Sequence, residues 1–243
     1  MILGLEVWVL VVVAAGVLVG ATVQGVVGIG LNLVAAPVVA LTSPQLVPTV
    51  PLLWAIVYPL GALTREWRAV DWRGVGWASG ARVPGTVLGV LVVAWASDRT
   101  LGVVVGAMVL LAVLLTWRAV RVPMNPGTLS GAGFIGGVTG TATSIGGPPL
   151  ALVYQHRPGP EVRASMAAFF FVGGLLSVGG LALGDQVSVR DLWIALLLSP
   201  ALLLGHLLAG PLRRHLDAGH TRAAVLVICS VSALALLVRS ALP

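Results

Sequence analysis

Lysine is absent from this 243-residue chain, and all 14 of its basic residues are Arg. No Walker-type G-x-x-x-x-G-K-[ST] loop is then available, so direct use of ATP by this chain is not expected. Charge is scarce, at 9% of residues, where a soluble domain carries about 25%. Such a surface could not be kept in water. Cysteine is limited to Cys229, which excludes an intramolecular disulfide and fits a small core residue. Strict period-2 alternation is missing, and with it the case for a lipid-facing barrel. No basic run accompanies the net charge of +6, so no nucleic-acid partner is expected. No cofactor or metal motif stands out.

Apolar residues are abundant, at 58%, and mean hydropathy is +1.04. The runs 7–19, 46–64, 100–117 and 221–238 approach the roughly 20 residues a spanning helix needs. The first run follows Glu6 and no basic side chain. A cleaved signal peptide needs a positive n-region, so this run reads as a retained helix. The class is an all-α, multi-pass membrane protein, with a bacterial inner membrane as its expected location and the lipid bilayer as its first partner.

One register relates the two parts of the chain. Gly20 and Gly136 lie 116 residues apart, as do Gly30 and Gly146, Pro44 and Pro160, Trp77 and Trp193, Pro84 and Pro200, and Gly89 and Gly205. The chain is read as two membrane repeats, 1–123 and 124–243, integrated in one unit. Paired loops carry opposite charge. Loop 64–73 holds Arg65, Arg68 and Arg73, while its mate 181–189 has Asp185 and no Arg. Loop 42–50 has no Arg, while its mate near 155–163 has Arg157 and Arg163. Loop 96–100 has Asp98 and Arg99, against Arg213, Arg214 and Arg222 in its partner. Arg-rich loops stay cytoplasmic, so the repeats are expected in opposite orientations.

Inversion requires an odd number of crossings per repeat. Residues 5–41 are too long for one span at 1.5 Å per residue and are interrupted by Gly25, Gly28 and Gly30. The first repeat divides into 5–24, 28–41, 46–64, 74–95 and 100–118; the second into 128–143, 146–155, 162–183, 190–211 and 221–241. Segments 28–41 and 146–155 are too short to cross and are expected as half-helices meeting their partners near the bilayer midplane. Both termini then lie outside.

The stretch TATSIGGPPLAL (141–152) carries the strongest local signal. Gly146, Gly147, Pro148 and Pro149 cannot lie within a regular helix. Broken backbone in hydrocarbon survives only where it is buried in protein or lines a cavity. Proline suits the first turn of a helix, so a short helix is expected from Pro148, its amides offering an anion site. Thr139, Gly140, Thr141, Thr143 and Ser144 precede it; the other repeat offers Gln24, Gly25, Gly28, Gly30 and Asn32. Facing breaks would form one polar centre for a small anion. The competing reading is that the glycines only allow close helix packing and the hydroxyls bond their own helix.

With Gly140, the Ile145-Gly146-Gly147-Pro148-Pro149-Leu150 run, the glycine-rich first repeat and Pro84-Gly85 to Gly89, the chain resembles the TauE/SafE sulfite exporter family over nearly its whole length. The resemblance implies a membrane transporter exporting sulfite, sulfoacetate or related organosulfur anions.

Arg82, inside 74–95, is read as snorkelling to the headgroups or as an accessory anion ligand. His206 is read as bonded to a neighbouring helix, with proton handling as the alternative. The eight Trp residues mostly flank spans, as an interfacial belt does. Ser144 with His206 has the composition of an intramembrane hydrolase dyad, but Gly28 and Val90 stand at the mate positions, and a duplicated central site fits transport better. All eight acids, Glu6, Glu66, Asp71, Asp98, Glu161, Asp185, Asp191 and Asp217, fall in loops or at span ends. Ion-driven importers usually keep an acid in the membrane, so efflux is favoured over ion-coupled uptake of a small organic anion. A homo-oligomer is left open.

Overall fold

The computed structural model describes residues 3–97, 100, 101, 103–108, 110, 114 and 122–215. Segment 221–241, Cys229, Trp117, the charged residues Asp98, Arg99, Asp217 and Arg222, and much of segment 100–118 lie outside the described residues. So do the side chains of Arg213 and Arg214. Among the described residues there is helix and no β-strand.

Helix α1 (Val7–Val27) is apolar almost throughout and ends at Gly28, whose φ of +95° lets its N–H close on Gln24 O. Glycine reaches this left-handed conformation without steric cost. The link then doubles back, and Gly30 (φ +144°) lies so close that a Cβ there would meet Val23 Cγ1 at 2.4 Å. Helix α2 (Leu31–Thr42) therefore begins well inside the end of α1. Gly20 permits this approach: a Cβ on it would lie 2.6 Å from Leu31 O.

Residues 126–154 make the same move. Helix α5 (Pro126–Thr143), opened by an Asn125/Thr128 capping box, ends at Ser144 with φ 61°. The chain folds back past Gly136, where a Cβ would lie 2.6 Å from Gly146 O, and α6 (Pro148–Tyr154) begins. Gly20 and its mate Gly136 thus perform one task.

Helix α3 (Thr49–Glu66) and α7 (Gly159–Leu183) are antiparallel partners. At one end Arg163 Nη2 and Nε donate to Glu66 at 2.7 and 3.2 Å. There too, Tyr154 Oη donates to Asp71 Oδ2 at 2.9 Å, and Asp71 N to Ser165 Oγ at 3.0 Å. At the other end Thr49 Oγ1 donates to Gln186 O at 3.2 Å, and Arg190 Nε to Leu3 O at 2.8 Å.

Asp71 caps α4 (Trp72–Trp95) by accepting from Gly74 N. Ser188 and Asp191 form a capping box at the start of α8 (Val189–Leu197), and α9 (Ser199–His215) follows. Segment 190–211, expected as one span, is instead two helices bent by 41°. Pro200 lacks an N–H, and its ring crowds the carbonyl a turn earlier. Its mate Pro84 lies within the continuous α4.

Glycine seams join helices from either side of residue 123. A Cβ on Gly133 would lie 2.0 Å from Ala78 O, and one on Gly85 2.2 Å from Phe134 O, so α4 and α5 touch backbone to backbone. On the α1–α9 seam a Cβ on Gly205 would meet Leu18 O at 2.6 Å. Such small-residue contacts are how helices associate where lipid removes the hydrophobic drive. The broadest helix contacts, α4–α5, α1–α9 and α3–α7, all cross the boundary at 123.

Among the described residues three helices, α1, α4 and α7, are long and apolar enough to cross a membrane, or four spans if the bent α8–α9 pair is counted as one. Large apolar side chains face outward, including Val11, Leu203 and Leu207 at 60–65% exposure. Trp8, Trp67, Trp72, Trp77, Trp95 and Trp193 are exposed as well. Trp54 departs from the expected belt: it is buried, and its indole donates to Ala195 O at 3.2 Å.

Candidate functional site

The two breaks meet. Asn32, in the first turn of α2, donates from Nδ2 to Ser144 O at 3.0 Å and to Pro51 O at 3.1 Å. Both amide protons are thereby used, and Asn32 Oδ1 is buried without a partner. Gln24 Oε1 accepts from Leu31 N at 3.0 Å, which satisfies one of the amides left open at a helix start.

Around this junction lies a cavity with about 370 Å³ of empty space, including its open mouth. Of the residues picked out from sequence, Gln24, Gly30, Asn32, Ser144, Gly146, Gly147 and Pro148 line it. Gly25 and Gly28 line a second cavity instead, with Tyr58, Arg65, Glu66, Arg163 and His206. Gln24 borders both. The second cavity lies at the Arg163–Glu66 end, and Gln24 is the residue the two cavities share.

The hydroxyls mostly follow the self-bonding alternative. Thr139 Oγ1 donates to Ile135 O at 3.0 Å and Thr143 Oγ1 to Thr139 O at 2.7 Å, each within α5. Thr141 and Ser177 exchange a hydrogen bond at 2.8 Å, and Ser144 Oγ donates to Thr143 O at 2.5 Å. Thr139, Gly140, Thr141 and Thr143 line neither cavity. Sequence alone does not reveal Ala55 or Phe170, which complete the wall. Neither carries a polar atom or a glycine to mark it.

Arg82 corrects the snorkelling expectation. It is 3% exposed, with its guanidinium carbon 4.6 Å above the Phe169 ring. Gly173 gives it room, for a Cβ there would lie 2.0 Å from Arg82 Cζ. Its helix is long enough to put this position well inside the fold, and the side chain turns inward to α5 and α7.

His206 stacks edge-on against Tyr58, ring centres 5.5 Å apart. It lines the second cavity, whereas Ser144 lines the first and spends its hydroxyl on Thr143 O. Among the described residues no group of three or more His, Cys, Asp or Glu is arranged to hold a metal ion.

The anion reading also changes in detail. Pro148 and Pro149 occupy the first two positions of α6 and have no N–H to offer, so the backbone donors there reduce to those beside them. Helix α2 starts without proline, but its first amide, Leu31 N, is spent on Gln24 Oε1.

Comparison with known proteins gives one match: the family model described as Sulfite exporter TauE/SafE aligns with residues 12–236. No curated protein and no solved structure matches the chain.

Proposed function

The chain belongs to the TauE/SafE sulfite exporter family, a family of membrane transporters, and from that premise we propose that it carries small oxyanions outward across a bacterial inner membrane. Sulfite, sulfoacetate and short sulfonates are the substrate class. One observation carries the reading: broken segments from both repeats close on a single cavity through Asn32 and Ser144.

In this mechanism the repeats are inverted. The support is that loop mates occupy opposite ends of the α3–α7 pair. Asp71 joins Tyr154 and Ser165 at one end, and Thr49 joins Gln186 at the other. The first end gathers Arg65, Arg68, Arg73, Arg157 and Arg163 and by the positive-inside rule is cytoplasmic. The N-terminus, tied to Arg190 through Leu3, is then external.

A cytoplasmic anion enters the cavity at Arg65, Arg163 and His206, passes Gln24 and reaches the junction. Rocking of one repeat against the other releases it outward. An anion leaving an inside-negative cell gains about 2.3 kcal/mol per charge per 100 mV, so no coupling ion is required. The described acids, from Glu6 to Asp191, stand at helix ends or in links, which agrees with an uncoupled route.

The deciding experiment is efflux from proteoliposomes loaded in turn with sulfite, sulfate, sulfoacetate and taurine. Saturable, voltage-sensitive flux of sulfite or sulfoacetate is expected. Flux of none of the four above protein-free liposomes would refute the proposal.

A further inference from the structure

We propose that Arg82 supplies the positive charge that makes the junction cavity select anions, with the bound anion as its counterion. The inference rests on the transport reading above and deepens it. Arg82 is 3% exposed and has no carboxylate within ion-pair reach among the described residues, where the salt bridges are Arg157–Glu161 and Arg163–Glu66. Its Nε and Nη1 have no hydrogen-bond partner, and the hydroxyls of Ser79 and Thr86, a turn either way on α4, have none either. A buried guanidinium that faces an aromatic ring but no opposite charge is costly, and a bound anion would bring the missing charge.

The direction of the side chain shows where that charge would come from. Gly140 lies between Arg82 and the break. The point where its Cβ would stand is 2.9 Å from Arg82 Nη2 and 3.1 Å from Gly146 Cα. Gly146 in turn lines the junction cavity. The guanidinium therefore sits about one backbone thickness behind the cavity wall, in surroundings where fields are weakly screened. The prolines at the start of α6 remove amide donors from the same wall, so a charge behind it has more to supply. Phe169 holds the guanidinium from the other face.

The role is one of positioning charge, and the test separates affinity from the number of working carriers. Full-length wild type, Arg82→Gln, Arg82→Lys and Gly140→Ala are reconstituted, and sulfite and methanesulfonate flux are followed to saturation. Arg82→Gln is expected to raise the half-saturating concentration of both anions by about tenfold or more, while Arg82→Lys, which can keep a charge but loses the planar stack on Phe169, is expected to fall between wild type and Gln. Gly140→Ala keeps the charge but presses on Nη2, and is expected to raise half-saturation in the same direction. Should Arg82→Gln fail to insert, Gly140→Ala decides. Half-saturation unchanged in every variant that inserts, with only maximal flux reduced, would overturn the proposal and leave Arg82 a packing residue with the transport reading intact. Wild type that carries no oxyanion would overturn both.

Discussion

Asn32 Nδ2 lies 3.0 Å from Ser144 O, a hydrogen bond between residues 112 apart that ties the break after α1 to the break after α5. A second bond from the same nitrogen holds Pro51 O. The amide orientation is thereby fixed, and Oδ1 is left as an unpaired acceptor. One side chain thus ties the break at Ser144 to the first turn of α3.

Replacing Asn32 by Ala leaves two buried carbonyls without this donor, which costs about 1–3 kcal/mol each where nothing substitutes. Asn32→Asp places an acceptor-only group against the same carbonyls and is expected to be the worse variant. Thermal melting in detergent, read beside sulfite flux, checks the order: wild type, then Ala, then Asp. Equal stability for Ala and Asp would mean that the bond to Ser144 is not what holds the junction.

The two glycines of the second break are not equivalent. A Cβ on Gly146 would lie 2.4 Å from Gly136 O and 3.0 Å from Gly140 Cα, both backbone. On Gly147 the obstruction is the Phe170 ring edge at 2.7 Å, which can turn aside. Gly146→Val is therefore expected to abolish flux and lower stability by about 1–3 kcal/mol. Gly147→Ala is expected to insert normally and lose flux only in part. Proteoliposome flux normalised to inserted protein measures both.

Much of the backbone plan is legible in the sequence because glycine and proline mark it. The break after Gly28 and the restart at Pro148 follow from residues that cannot continue a helix. Depth along a helix can also be read from sequence, but azimuth cannot when nearly every neighbour is apolar. Arg82 shows the consequence: its place in α4 suits a snorkelling side chain, yet Gly140 and Gly173, far away in sequence, leave the space that draws it inward. Trp54 is hidden in the same way by its bond to Ala195 O on another helix. The bend beside Pro200 does not follow from the mate of that proline, since Pro84 sits in an unbroken helix. The hydroxyls of Thr139 and Thr143 look like ligands in a one-dimensional string and turn out to bond within α5.

Arg163 and Glu66 join α7 to α3 beside the second cavity, with side chains 15% and 20% exposed. Partial burial and two-point geometry favour a coupling near the upper end of about 0.2–1 kcal/mol for ion pairs open to solvent, or somewhat above it. Arg163→Glu alone is expected to lower the melting temperature and sulfite flux, and the exchanged pair Glu66→Arg/Arg163→Glu to recover stability better than flux. A double-mutant cycle on melting gives the coupling. Full recovery of flux in the exchanged pair would remove Arg163 from the anion's path, since that variant moves the positive charge across the cavity.

Gln24 offers a test of the sign of the cargo. Its Oε1 accepts from Leu31 N, and the residue borders both cavities. Gln24→Glu preserves that acceptor, removes the two amide N–H donors and adds a negative charge. In an anion path the ionised form repels the substrate, so flux of a sulfonate, whose own charge does not change with pH, is expected to fall sharply at about pH 8. Protonation removes the added charge, so sulfonate flux through Gln24→Glu is expected to recover as pH falls, while wild type shows no such recovery. A cation carrier would respond the other way, gaining flux when the new carboxylate ionises. Faster cation flux and undiminished sulfonate flux at high pH would reject an anion route past Gln24.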